Sequence, residues 1–80
     1  MTRQTEKVAA AEIVVSRVRA SIESGELRSG DRLPAERELA KRLGVSRPSV
    51  RSGLKSLAAM GVVQIRQGAG TFITAGPPKL

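Results

Sequence analysis

Residues 44–51 read GVSRPSVR, a proline flanked by two arginines inside apolar spacing that otherwise fits a helix. Proline in a helix interior removes a hydrogen bond and clashes with the preceding turn, but in the first turn it lacks only an N–H that has no intrahelical partner anyway. Ser46 supplies the start signal, because its hydroxyl can accept a backbone N–H from that first turn. Arg47 and Pro48 then open the helix, and Val45 ahead of the cap can pack on Val50 as a hydrophobic staple. The proline therefore starts a helix. From there Val50, Leu54, Leu57 and Ala58 share one face until Gly61, while Pro48, Arg51, Ser52 and Lys55 occupy the opposite arc. Arg47 lies on the flank one turn before Arg51, close to the positive end of the helix dipole.

Working outward, Leu43-Gly44-Val45 leaves room for only a tight turn to a preceding helix, expected from about Ala35 to Arg42. Its apolar side is Leu39, Ala40 and Leu43. Glu36 and Glu38 fall in its first turn and Lys41 and Arg42 in its last, as the dipole prefers. Further upstream, Ala11, Val15, Val18 and Ile22 form an apolar stripe at helical spacing, predicting a helix over Val8–Ser24. Between the two helices, GELRSGDRLP is turn-rich, with a short extended segment expected at Arg32-Leu33, since the residue before proline avoids helical angles. Downstream, VVQIRQGAGTFI predicts a hairpin whose tip, Gln67 to Gly70, carries little side chain and could approach another surface closely. The expectation is an α+β fold, a winged helix-turn-helix with three helices and a small antiparallel hairpin wing. Residues 1–7 would be an N-terminal arm and 8–74 the domain. The helix-turn-helix would occupy about 36–55 and the wing about 62–73, with 75–80 a linker.

The net charge of +7 is unevenly spread. Residues 1–29 hold five basic and four acidic side chains, whereas Gly44 to Ile73 contains Arg47, Arg51, Lys55 and Arg66 and no acid. A one-signed stretch of that length suits a polyanion. With no acid within a helical turn of Arg47 or Arg51, both are expected to lack a salt-bridge partner. The chain has no cysteine and no histidine. Disulfides, thiol chemistry and the commonest general base are therefore excluded, and no cofactor or metal is expected. No apolar run approaches the roughly 20 residues of a membrane span, so a soluble, cytoplasmic protein is expected. The core must come from Leu, Ile, Val and Ala, because Phe72 is the one aromatic residue and is expected inside. So thin a core in so short a chain is expected of a domain helped by a partner or by a missing part of a longer protein.

The stretch LPAERELAKRLGVSRPSVRSGLKSLAAMGVVQIRQGAGTFI strongly resembles the N-terminal domain of GntR-family bacterial transcription regulators. The likeness spans about residues 10 to 74, carried by LPAERELA, GVSRPSVR and GAGTFI in that order. SRPSVR is most similar to the FadR subfamily. The resemblance implies a homodimer bound to double-stranded DNA at a short palindromic operator. It also implies a larger C-terminal domain, absent here, that binds a small effector, usually a carboxylic acid. By the family's pattern, DNA contacts fall on Arg37, Ser46, Arg47, Pro48, Ser49 and Arg51, and in the wing on Gln67 and Gly68, with Ala69 beside them; Lys55 and Arg66 of the basic stretch are further DNA-binding candidates. Arg47 and Arg51 would read guanines, Arg37, Ser46 and Ser49 would hold phosphates, and Gly68 would enter the minor groove. Four positions depart from the pattern. Ala35 stands where a capping serine is common, Ser52-Gly53 replaces Glu-Ala, and Ala69 replaces a basic residue found in some members.

Rival readings are weaker on chemical grounds. A protein–protein interaction module would place unpaired arginines in an interface core, which is depleted in charge. RNA recognition calls for stacking aromatics that the chain lacks. An enzyme would need a base near Ser46 or Ser49, and none is evident.

Overall fold

Helix α1 runs from Arg3 to Glu23, and its inward stripe carries the first third of the core. Val14 and Val18 are buried there, with Val15 and Ile22 packed beside them. The stripe is therefore turned toward Val14, a position that the expected set of Ala11, Val15, Val18 and Ile22 did not include. The helix also begins five residues before the expected Val8, so Arg3 to Lys7 extend it where an arm was expected. Arg, Gln, Glu and Lys in this stretch are strong helix formers, and nothing in it breaks the helix. The computed structural model describes residues 3–74, and the side chains from residue 8 onward. The expected linker, 75–80, lies outside the described residues.

Helix α2, Glu36–Leu43, starts without a side-chain cap at Ala35 and ends at Gly44, whose φ of 68° is left-handed. Helix α3, Arg47–Ala59, starts at the Ser46 cap and closes with Met60 and the left-handed Gly61. Leu39, Ala40, Val50, Leu54 and Leu57 are buried between these helices and α1. Val45 is half-buried against the same cluster, where the expected staple places it.

Gly53, one of the departures from the family pattern, has a packing cause. A Cβ built on it would lie 2.6 Å from the Cβ of Val14 and 2.9 Å from the backbone oxygen of Ala11. Such distances are far inside van der Waals contact, so α1 and α3 cross at a separation that only glycine admits at this point.

Strands β1, Val63–Arg66, and β2, Gly70–Ile73, pair antiparallel with Val63 opposite Ile73 and Arg66 opposite Gly70. Val63 and Ile73 reach the core, while the far end of the hairpin projects beyond it. The other edge of β2 is covered by the segment around Arg32. Leu33 N–H donates to the Thr71 carbonyl at 2.8 Å, and Ile73 N–H donates to the Asp31 carbonyl at 2.8 Å. Arg32 bridges Phe72 in antiparallel register, so the short extended segment expected there forms a third, one-bridge strand. It satisfies an edge that would otherwise present unpaired backbone groups.

Candidate nucleic-acid interface

Ser46 sits in extended backbone and its Oγ accepts the Ser49 N–H at 3.3 Å, the capping geometry expected from the sequence. Pro48 follows in the first turn and is exposed. Ser49 does not share that exposure. It is only 4% exposed, and its Oγ lies 2.9 Å from the Ser46 Oγ. Ser49 is expected from the resemblance to hold a phosphate, and in this structure its hydroxyl is turned to the Ser46 hydroxyl. Position 49 falls on the inward arc of α3 with Val50 and Gly53, and its hydroxyl closes the cap from inside.

Arg47 and Arg51 project from the first two turns of α3, each a little over half exposed. They are not free of acid, as the sequence led us to expect. Arg47 Nε donates to Glu36 Oε1 at 3.1 Å. Arg51 donates from Nε to Oε2 at 2.9 Å and from Nη2 to Oε1 at 3.0 Å. One carboxylate thus holds both guanidinium groups. Hydrogen bonding from Arg51 is the main cause holding the Glu36 carboxyl below the usual carboxylate range, against the opposing effect of its partial burial. The same bond raises the Arg51 guanidinium above its ordinary value. Glu36 was missed because its partners lie eleven and fifteen residues away in sequence. Its place in the first turn of α2 was already accounted for by the helix dipole. The turn at Gly44 is what brings the two helix N-termini together.

Between α3 and the wing lies an open cleft of about 610 Å³, whose walls include Arg32, Arg51, Lys55, Arg66, Gln67 and Gly68. The cleft brings Arg51 and Lys55 of the helix together with Arg66, Gln67, Gly68 and Ala69 of the wing, leaves Arg37, Ser46, Arg47, Pro48 and Ser49 outside its walls, and adds Arg32, which sequence reading did not select. Arg32 lies across the wing, where a Cβ built on Gly70 would meet its Nε at 2.6 Å. Arg66 stands over the Phe72 ring at 5.1 Å from its centroid and donates from Nε and Nη2 to the Gln64 Oε1. Phe72, expected in the core, is therefore half-buried and serves as a platform for a cation. Ile65 is 44% exposed on the cleft side, since the outer half of β1 has no helix beneath it. At the tip, Gly68 has φ 77° with open space around it, and Ala69 N–H closes the turn onto the Arg66 carbonyl at 3.1 Å. Arg37 is exposed on the first turn of α2.

Three helices followed by a two-stranded wing, with a capped, arginine-bearing helix N-terminus beside a basic cleft, define a winged helix-turn-helix domain. Residues 10–73 match the family model for bacterial regulatory proteins, gntR family, and the chain belongs to that family. It is 53% identical over 60 residues to the putative L-lactate dehydrogenase operon regulatory protein of Escherichia coli K12, covering 75% of this chain and 23% of that protein. It is 47% identical over 62 residues to the HTH-type transcriptional regulator Mce2R of Mycobacterium tuberculosis, covering 78% of this chain and 26% of that protein. The chain thus spans about a quarter of the length of these curated relatives. Among solved structures, the DNA-binding domain of AraR in complex with operator ORX1 superimposes with a TM-score of 0.78 at 29% identity. That match covers 81% of this chain and 78% of the other. A GntR protein of Streptococcus agalactiae gives a TM-score of 0.73 at 37% identity, covering 81% of this chain and 32% of that one. Among the described residues, no helix is long and apolar enough to cross a membrane.

Proposed function

We propose that this chain is the operator-reading domain of a bacterial transcription regulator and binds double-stranded DNA sequence-specifically. The observation that carries this reading is the exposed pair Arg47 and Arg51, presented at the N-terminal end of α3 and continuous with the basic cleft that runs to the wing tip. A major groove about 12 Å wide accepts one helix, and bidentate arginine–guanine contacts discriminate by about 1–3 kcal/mol each. In this reading Arg47 and Arg51 address base edges from α3. The exposed Arg37 and Ser46, with Lys55 and Arg66, face phosphates, and Gln67, Gly68 and Ala69 approach the minor groove. Ser49 supports the cap and does not touch DNA. The solved complexes of the AraR DNA-binding domain with its operators agree with this use of the fold.

The complete protein is read as a FadR-like regulator that pairs on a short palindrome and senses a small carboxylic acid through a C-terminal domain. The similarity to a putative L-lactate dehydrogenase operon regulator supports that choice of effector class.

Selection from random duplex DNA at about physiological ionic strength, with excess non-specific competitor, tests the proposal. Enrichment of a short palindrome with guanines in each half is the expected result. Retention of DNA without any enriched motif would reduce the domain to a charge and shape reader. No retention at all would overturn the proposal.

A further inference from the structure

The carboxylate that joins the two reading arginines has no place in the contact scheme above, and its geometry carries a consequence that rests on that scheme. A guanidinium group offers five N–H donors in a planar fork, and a bidentate acceptor uses one edge of the plane at a time. Glu36 occupies the Nε–Nη2 side edge of Arg51 and the Nε of Arg47. On both arginines the end edge, formed by Nη1 and the outward N–H of Nη2, remains without a partner among the described residues. That end edge is the one that can meet the O6 and N7 atoms of a guanine. Holding the side edge therefore leaves the reading edge available.

Glu36 is itself firmly placed. It lies in the first turn of α2 beside the uncapped Ala35, where its negative charge complements the helix dipole. Its side chain is one-quarter exposed, against more than half for either arginine, so it forms the sheltered base of the cluster. Arginine side chains sample many rotamers when free, and a fixed carboxylate removes that freedom before DNA arrives.

We propose that Glu36 is a positioning residue that holds Arg47 and Arg51 together in the orientation that reads guanine, and so couples the base preferences of the two. The carboxylate also offsets part of the positive charge at the tip of α3, which lowers attraction to phosphate wherever the base edges do not match. Its effect is thus on discrimination more than on affinity.

The test compares the 80-residue chain with Glu36→Gln, Glu36→Asp, Arg51→Ala and the Glu36→Gln/Arg51→Ala double variant. Each is checked by circular dichroism and titrated against three duplex sets. These are the palindrome enriched by the unaltered chain, the same duplex with each guanine replaced in turn, and an unrelated duplex. Glu36→Gln is expected to lose about tenfold of the discrimination at the base pairs read by both arginines, while its affinity for the unrelated duplex stays level or rises. Glu36→Asp keeps the charge but falls one methylene short of spanning both groups. It is expected to lose discrimination without gaining non-specific affinity, and it serves in its own right if the Gln variant melts too low to titrate. In the Arg51→Ala background, Glu36→Gln should still weaken the preference set by Arg47 and leave the base pair formerly read by Arg51 unaffected.

Undiminished discrimination in Glu36→Gln and Glu36→Asp would overturn the inference. So would a loss confined to a base pair that neither arginine reads, since Glu36 would then be a base contact itself. Failure of the unaltered chain to prefer the palindrome over the unrelated duplex would overturn the operator reading and this inference with it, and it would be visible before any substitution is compared.

Discussion

Ser49 shows how one rotation about a helix axis separates an exposed side chain from a buried one. Its neighbours Pro48 and Arg51 are exposed, yet its own hydroxyl is turned inward onto Ser46. A buried hydroxyl in a single hydrogen bond is worth about 0.5–1.5 kcal/mol. Ser49→Ala should therefore lower Tm by about 2–12 °C in a domain of this size and leave affinity for the operator duplex within about twofold. A tenfold loss of affinity at unchanged Tm would show that the hydroxyl turns outward to a phosphate. Glu36 makes a second prediction at this scale. Its carboxyl is held below its ordinary range by the arginines, so the stabilisation is complete above the unfolded-state value and is lost as pH falls through the folded-state value. A Tm difference between the unaltered chain and Glu36→Gln should be present at neutral pH and vanish in strongly acidic buffer. A difference that persists there would place the stabilisation in packing and not in the ion pair.

Elements whose signals are local were legible in the sequence. The Ser46 cap, the Pro48 start, the Gly44 stop and the apolar face of α3 all stand where the residues indicated, because each depends on neighbours within one or two turns. What was not legible depends on elements meeting. Val14 joins the core because α3 approaches that side of α1, and the ion pair of Glu36 exists only once the turn has set two helix starts together. Phe72 lies outside the core because it stands on the face of the hairpin opposite Val63 and Ile73, and only the packing of β1 and β2 on the helices decides which of the neighbours Phe72 and Ile73 turns inward. The α1–α3 crossing gives the prediction that belongs to elements. Gly53→Ala would gain up to about 1 kcal/mol in helix propensity, but the added methyl overpacks Val14 at a cost of about 1–3 kcal/mol. The expected outcome is a lower Tm in thermal melts, not restored when Val14→Ala accompanies it, because the Val14 Cβ and the Ala11 carbonyl oxygen that the methyl meets both remain. A raised Tm in the single variant would show that the crossing opens without strain.

Across the whole molecule, charge is sorted by position. Arg51, Lys55 and Arg66 converge on the cleft where α3 and the wing meet, with Arg47 one turn nearer the start of α3, and Arg32 joins them from the segment that edges the sheet. Several phosphates neutralised at once release as many counterions, so log affinity should fall linearly with log salt, by about 0.9 for each phosphate contacted. Titrations between about 50 and 200 mM salt should therefore span orders of magnitude for specific and unrelated duplexes alike. A flat response would count against every nucleic-acid reading of this surface.

The meeting of Val14 and Gly53 also constrains how the sequence can change over time. With the two helices where they are, residue 53 has no room for a side chain, because the atoms it would meet are the Val14 Cβ, which every residue but glycine carries, and the Ala11 backbone oxygen, which no substitution removes. A lineage that starts here can enlarge position 53 only after the two helices have moved apart. The glycine is thus fixed by the crossing itself and not by the choice of side chain at position 14.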